Sequence, residues 1–483
     1  MGDSMKRYSS QNFVLAAMIV TVSMTFIDQT IIALAVPKIQ AELHLSQSGV
    51  QWVINAYVLA MAATFMVAGK FADSFGHKKM VIIGTLIFAI SSGACGFTQS
   101  NSYSEAWIIT FRALQGVGAA LLFSSALALV IATIPLAQRG LKLAVFFAIT
   151  GAMTGIGPLL GGYLTAWKWQ AVFWVNIPVA IAALILIVIA EPVDHVRRVP
   201  LDWKGSIVIA AGMTLSVLGF QHASSWGWSN AKTIVCIAAG VALLAGFVVV
   251  ERRANYPLAN LAIFKIRAFF VENIVLFLAS MVFVSLFFFA SVYAQVSLLD
   301  SSSTAGLYIL TFFIGFAPAA MRGGRIMDKV GAKGVVVVGA AVSAIGFFLW
   351  SERLTTLSSG SQWWAIILAG AGMGLIIGPA ATDASNRSAK ETYGEVTGIT
   401  QTVRYFGSSV GLAVFMTILI ENTSAGASYY ELARSSAGRL EFAHAMQDVF
   451  YAMSAILAVT FVVALVGLQR GRQEVIPDLE TTA

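Results

Sequence analysis

The sequence predicts an all-α integral membrane protein of fourteen spans, and three observations carry that reading. Of 483 residues, 58% are hydrophobic and only 11% charged, a balance unlike that of water-soluble domains. Apolar runs of roughly 20 residues recur from end to end, about the length a helix needs to cross a ~30 Å hydrocarbon layer. An unpaired backbone group in lipid costs several kcal/mol, so each run must be a helix that satisfies its own backbone.

The spans start near residues 12, 49, 80, 105, 141, 169, 204, 231, 268, 303, 334, 362, 394 and 446. Span 1 follows Lys6 and Arg7; its apolar stretch is too long for a signal-peptide core and has no small-residue cleavage site, so it reads as retained. Every even-numbered span leads into a basic segment. Span 2 is followed by Lys70, Lys78 and Lys79, span 4 by Arg139 and Lys142, and span 6 by Arg197, Arg198 and Lys204. Basic residues recur at 252–267 after span 8, at 322–333 after span 10, at Arg387 and Lys390 after span 12, and in the C-terminal tail. With the N-terminus inside, 22 of the 30 Lys and Arg are cytoplasmic, six are outside, and Arg112 and Arg404 lie within spans. This bias predicts a multi-pass protein of the plasma (inner) membrane with both termini in the cytoplasm. The net charge of +7 is therefore topological, and no nucleic-acid partner is expected. Cys95 and Cys236 sit inside apolar runs and read as packing residues. The longest outer loop, about 421–445, is polar and shows no sign of a separate domain.

A weak repeat divides the chain. Gly69-Lys-Phe-Ala-Asp73-Ser-Phe-Gly76 and Gly324-Arg-Ile-Met-Asp328-Lys-Val-Gly331 share the spacing G-x-x-x-D-x-x-G, and both follow even-numbered spans. The pattern predicts two six-helix bundles in a pseudo-twofold arrangement, residues 1–200 and 256–483, with an inserted helix pair, spans 7 and 8, at 201–255.

Several motifs then resemble the major facilitator superfamily, and within it the fourteen-helix drug:proton antiporter family. Asp28-Gln-Thr30 through Pro37 resembles the span-1 motif, residues 69–79 the superfamily's loop motif, and Arg112-Ala-Leu-Gln115-Gly116-Val-Gly118 its span-4 motif. Gly151 through Gly162 is similar to the exporters' span-5 signature, and Trp169, Phe173, Asn176 and Pro178 fit the start of span 6. Ala33 stands where the family often has Asn, and Ser74 and His77 where it often has Arg. The resemblance implies a proton-coupled secondary exporter of drugs or other lipophilic compounds, working by alternating access. The alternative is an exporter of a lipid, siderophore or specialised metabolite with different coupling.

The candidate residues follow from cost. An isolated charge at the bilayer centre costs about 2.5–3.5 kcal/mol, so intramembrane ions pair or face a wet cavity. Asp28 lies about nine residues from Pro37, and Arg112 about seven from the outer end of span 4, so their depths match and the two are expected to pair. Gln115 shares a helix face with Arg112. As proton carrier, Asp28 would answer to its surroundings: burial favours a neutral carboxyl, and a neighbouring cation favours the charged one. A static ion pair is the alternative. Arg404 has no acidic residue at matching depth, so it binds a carbonyl, a lipid phosphate or an anionic substrate group, or else serves helix packing. Trp52 and Tyr293 are further candidates for lining a substrate cavity, alongside Gln115 and Arg404. The scarcity of cavity acids fits a neutral, zwitterionic or monocationic amphiphile.

Gly157 and Gly161 give the small-residue spacing that lets helices touch, and Pro158 bends span 5, so these three are read as packing that controls outward opening. Asp73 and Asp328, beside basic residues, are expected to hold the cytoplasmic side closed. The chain contains no H-E-x-x-H, G-x-S-x-G or Walker loop, and its five histidines are scattered. An enzyme, a metal site and a cofactor are therefore not expected, and a channel lacks a repeated filter-like segment. The expected partners are a small lipophilic or amphiphilic substrate, protons and membrane lipids, with the protein a monomer.

Overall fold

A computed structural model of the chain describes residues 2–134, 136–190, 192, 200–386, 393–424 and 429–471. Among these residues, fourteen helices are long and apolar enough to cross a membrane. In the first half they are span 1 (Gly2–Leu43), span 2 (Gln47–Phe75), span 3 (His77–Gly96), span 4 (Ser104–Thr133) and span 5 (Leu136–Trp167). Span 6 opens with the turn Ala171–Trp174 and continues as Asn176–Ala190. Spans 7 and 8 are Trp203–Trp226 and Ala231–Arg253. The remainder are spans 9 (Arg267–Val296), 10 (Ser302–Val330), 11 (Ala332–Leu354), 12 (Ser359–Asn386), 13 (Tyr393–Glu421) and 14 (Ser436–Gly467). Arg197, Arg198, Arg387, Lys390 and Arg472, which weigh in the charge bias, lie outside the described residues. An even count brings both termini to one face, called here the terminal face; the other is the far face.

Side-chain caps explain several helix starts. Ser46, Asp202, Ser301 and Ser435 each accept a backbone N–H three residues on, satisfying a donor the first turn leaves orphaned. Two ends differ from the sequence expectation. Span 1 runs through Pro37 to Leu43, and span 14 starts at Ser436 instead of near 446. Both helices continue past their apolar runs into polar sequence, which a hydropathy reading assigns to loops.

The repeated loops have one backbone solution. Gly76 is the single residue between spans 2 and 3, and Gly331 the single residue between spans 10 and 11. Their φ values are 98° and 88°, a left-handed region open to glycine, and each N–H closes the preceding helix, onto Ala72 and Met327 respectively.

Helix packing repeats with an offset of eight spans. Span 1 packs on 4, 5 and 6, and 9 packs on 12, 13 and 14; the pairs 2·4, 3·4 and 3·6 reappear as 10·12, 11·12 and 11·14. The same exchange carries the 2·13 contact between halves into 10·5, which is what a pseudo-twofold axis requires. Spans 7 and 8 pack on each other, and span 7 lies against both 2 and 13. Asn55 of span 2 donates to Gln221 of span 7 (2.9 Å) and accepts from the Ser409 hydroxyl of span 13 (2.5 Å), so one buried amide ties three elements.

The halves touch closely toward the far face. A Cβ on Gly162 would lie 2.6 Å from the Ser302 carbonyl oxygen, and one on Gly306 2.4 Å from that of Pro158. Ser291 and Gln295 of span 9 donate to the carbonyls of Ala33 and Leu34 at 3.0 and 3.2 Å.

Candidate functional site

Asp28 and Arg112 meet inside the first bundle: Nη1 lies 2.7 Å from Oδ2, with the two residues 1% and 0% exposed. Span 4 reaches its neighbours because glycine lines its contact face; a Cβ on Gly116 would sit 2.3 Å from the Tyr57 carbonyl, and one on Gly118 2.7 Å from the Phe88 nitrogen. That approach lets Arg112 Nε donate to the Val53 carbonyl (2.9 Å) and sets its guanidinium 4.5 Å from the Tyr57 ring centroid.

Three donors cradle the carboxylate. Arg112 holds Oδ2, while Gln115 Nε2 (2.8 Å) and Asn176 Nδ2 (2.9 Å) both donate to Oδ1. Gln115 Oε1 accepts from Arg112 Nη1 (2.7 Å), and Asn176 Nδ2 also lies 3.0 Å from the Ser92 hydroxyl. Spans 1, 3, 4 and 6 thus share one buried hydrogen-bonded network. Arg112 Nη2 has no hydrogen-bond partner among the described residues.

Span 5 is keyed to the same stretch of span 1. Thr30, two residues past Asp28, donates to the Thr154 carbonyl (3.1 Å), and a Cβ on Gly157 would fall 1.8 Å from Thr30 Oγ1. Gly161 meets the Ile31 carbonyl, where a Cβ would be 2.7 Å away. The Gly157, Pro158 and Gly161 segment therefore touches span 1 beside Asp28 on one side and Gly306 of span 10 on the other.

A second polar site lies between the halves. A small cavity of about 20 Å³ is lined by Phe26 and Gln29 of span 1, Ser280 and Phe283 of span 9, and Arg404 and Tyr405 of span 13, among others. Of the four residues expected to line a substrate cavity, Arg404 alone borders this one. Gln115 is fully buried in the Asp28 network instead. Tyr293 is also fully buried, its hydroxyl bonded to the Leu354 carbonyl and the Gln362 amide, because span 9 turns that face into its own bundle. Trp52 sits near the far-face end of span 2, with its ring 6.5 Å from that of His222 on span 7. Asn176, Gln29 and Ser280 were not singled out as site residues; the span-6 pattern draws attention to Asn176, and no sequence signal marks the other two.

Asp73 ends span 2 on the terminal face, with His77 Nε2 3.4 Å from its carboxylate, and Asp328 is exposed at the end of span 10. A larger hollow, about 270 Å³, opens on the far face among Lys38, Glu42, Trp167, Trp169 and Trp174, where Trp169 donates to Glu42 (2.6 Å). Phe287 is stacked on Phe313, and Phe288 and Phe289 are buried, so this aromatic run packs helices.

Known proteins share this architecture. The chain is 33% identical over 414 residues to the tetracenomycin C resistance and export protein of Streptomyces glaucescens, covering 84% of this chain and 75% of that protein. It is 33% identical over 415 residues to the cephamycin export protein CmcT of Amycolatopsis lactamdurans, covering 82% of each. The fold superimposes on a partially occluded, inward-open structure of the xylose transporter XylE from E. coli with a TM-score of 0.63 at 12% identity, over 94% of this chain and 98% of that one. A sequence profile of the Major Facilitator Superfamily matches residues 18–412, and with these relatives and this helical arrangement the chain belongs to that superfamily.

Proposed function

We propose that this multi-pass membrane protein is a proton-coupled secondary exporter of lipophilic small molecules, and the caged Asp28 is the observation that carries the proposal. Residues 1–200 and 256–483 rock as two bodies, with 201–255 inserted between them in sequence. The terminal face lies in the cytoplasm at the plasma (inner) membrane, and the protein acts as a monomer that meets substrate, protons and surrounding lipid.

On this reading the close far-face contacts are the outer gate in its shut form. Opening it separates Gly306 from Pro158 and Gly162 from Ser302, and the movement of span 5 pulls on Thr30. The cradle around Asp28 then loosens: with Arg112, Gln115 or Asn176 withdrawn, the acid form gains over the carboxylate and a proton enters from outside. Closure restores the donors, expels the proton inward and returns the site to the cytoplasm. Asp73 and Asp328 close the terminal face in the alternate form.

Relatives named for exporting tetracenomycin C and cephamycin favour a second reading within export, in which the natural cargo is one specialised metabolite and not a broad set of drugs. Resistance to many unrelated compounds in a sensitised host supports the multidrug reading, and resistance confined to one chemical class supports the narrower one. For export itself, the test is solute flux in vesicles under an imposed pH gradient, with and without the purified protein. Equal flux in both would refute it.

A further inference from the structure

The second half carries an Arg–Gln pair of the same chemistry, on span 13 and not on span 12, the counterpart of span 4, and among the described residues no acid joins it. In span 4, Arg112 Nη1 donates to the Gln115 side chain three residues on, and Asp28 completes the cluster. In span 13, Arg404 Nη1 donates to the Gln401 side chain three residues back, at the same 2.7 Å. Among the described residues, no carboxylate lies within ion-pair distance of Arg404, whose Nε is buried without a hydrogen-bond partner. Gln29 Nε2 and Ser280 Oγ, which border the same cavity, are likewise buried and unpartnered. Three elements, spans 1, 9 and 13, thus bring unused donors to one seam, against Phe26, Phe283 and Tyr405.

A cation and amide donors left unsatisfied away from water carry a penalty that an incoming acceptor removes. Guanidinium forks match carboxylates and phosphates, while aromatic rings suit a flat apolar body. We propose that this cavity binds the anionic head of an aromatic amphiphile, a carboxylate or acidic phenol, with Arg404 as its anchor and Gln29 and Ser280 as auxiliary donors. The bound anion stands to Arg404 and Gln401 as Asp28 stands to Arg112 and Gln115. At about 20 Å³ the closed cavity has room for little more than a water, so the anionic head and the apolar body both enter as the halves part. The proposal rests on the exporter reading, of which it names the substrate class.

The test uses the full-length protein in detergent and three fluorescent probes: anthracene-9-carboxylate, its methyl ester and (9-anthracenylmethyl)trimethylammonium. The carboxylate is expected to bind at least tenfold more tightly than the ester, and the ester at least as tightly as the cation. Arg404→Met should abolish the carboxylate's advantage, leave ester binding intact and hold or raise the melting temperature, since it removes an uncompensated charge. Tightest binding by the cation, or a preference that survives Arg404→Met, overturns the proposal. A fall in melting temperature with no change in preference also overturns it and makes Arg404 a packing residue. If phosphatidylglycerol displaces the carboxylate at stoichiometric ratio and the carboxylate is not transported, the occupant is a lipid headgroup and the substrate assignment falls. Carboxylate preference without pH-driven flux of any probe defeats the exporter reading and leaves the site. Flux that favours the cation does the reverse.

Discussion

At the scale of single residues, Asp28 is tightly constrained, since one carboxylate takes three side-chain donors from two other helices, spans 4 and 6. Breaking a buried ion pair from one side costs about 3–5 kcal/mol, because it strands the other charge. Arg112→Ala should therefore destabilise the protein strongly in detergent. The double variant Asp28→Asn with Arg112→Gln should recover much of that loss, and a melting series on the parent and these two variants measures it. Asn176 offers a milder change. A hydrogen bond to a charged group is worth about 1.5–3 kcal/mol, so Asn176→Leu should lower pH-driven transport about tenfold or more while surface expression stays normal. An unchanged rate would remove Asn176 from the cradle's function. Of this network, Asp28 and Arg112 were legible because an ion within an apolar run demands a partner. Asn176 was less so, since an amide near a helix start has many ordinary uses. Gln29 shows the limit: it adjoins Asp28 in sequence, yet one faces the bundle and the other the seam, and that rotation is set by packing against other spans.

At the scale of elements, spans 5 and 10 meet through glycine at the far face, and those contacts leave no room for a Cβ. Overpacking a tight contact costs about 1–3 kcal/mol, so Gly306→Val should favour separation of the halves. Its expected signature is faster alkylation of a cysteine placed on the far-face side of spans 5 and 10, and protection equal to the parent's would contradict the gate assignment. The converse experiment bridges Ala33→Cys to Ser291→Cys, in a background lacking Cys95 and Cys236, with a short cleavable cross-linker. Transport should stop on bridging and return on cleavage. The glycine pattern of span 5 was readable as a packing surface, and the structure assigns its partners, Thr30 and Ile31 on one side and Ser302 and Gly306 on the other. Helix ends were read less well. Leu43 and Ser436 lie beyond the apolar runs, where caps and tertiary contacts decide how far a helix continues.

At the scale of the whole molecule, the eight-span offset makes two bodies of one packing scheme, and span 7 of the inserted pair lies against the seam where spans 2 and 13 meet. The fourteen spans and the repeat were visible in the sequence, since hydropathy and the two Asp-x-x-Gly turns need no tertiary information. The docking of span 7 was not, because it depends on Asn55, Gln221 and Ser409, polar residues unrelated by any local pattern. Polar contacts of this kind in membrane proteins are worth about 0.6 kcal/mol on average. Asn55→Ala should thus lower the melting temperature only slightly while altering transport rate, and a large loss of stability would mean that the inserted pair is structural first. The central claim is that Asp28 couples cargo to protons, and it is tested most directly with one substrate in proteoliposomes carrying either the parent protein or Asp28→Asn. The parent should drive uphill flux under an imposed pH gradient, whereas Asp28→Asn should exchange labelled for unlabelled substrate without responding to that gradient. A full response from Asp28→Asn would contradict the account.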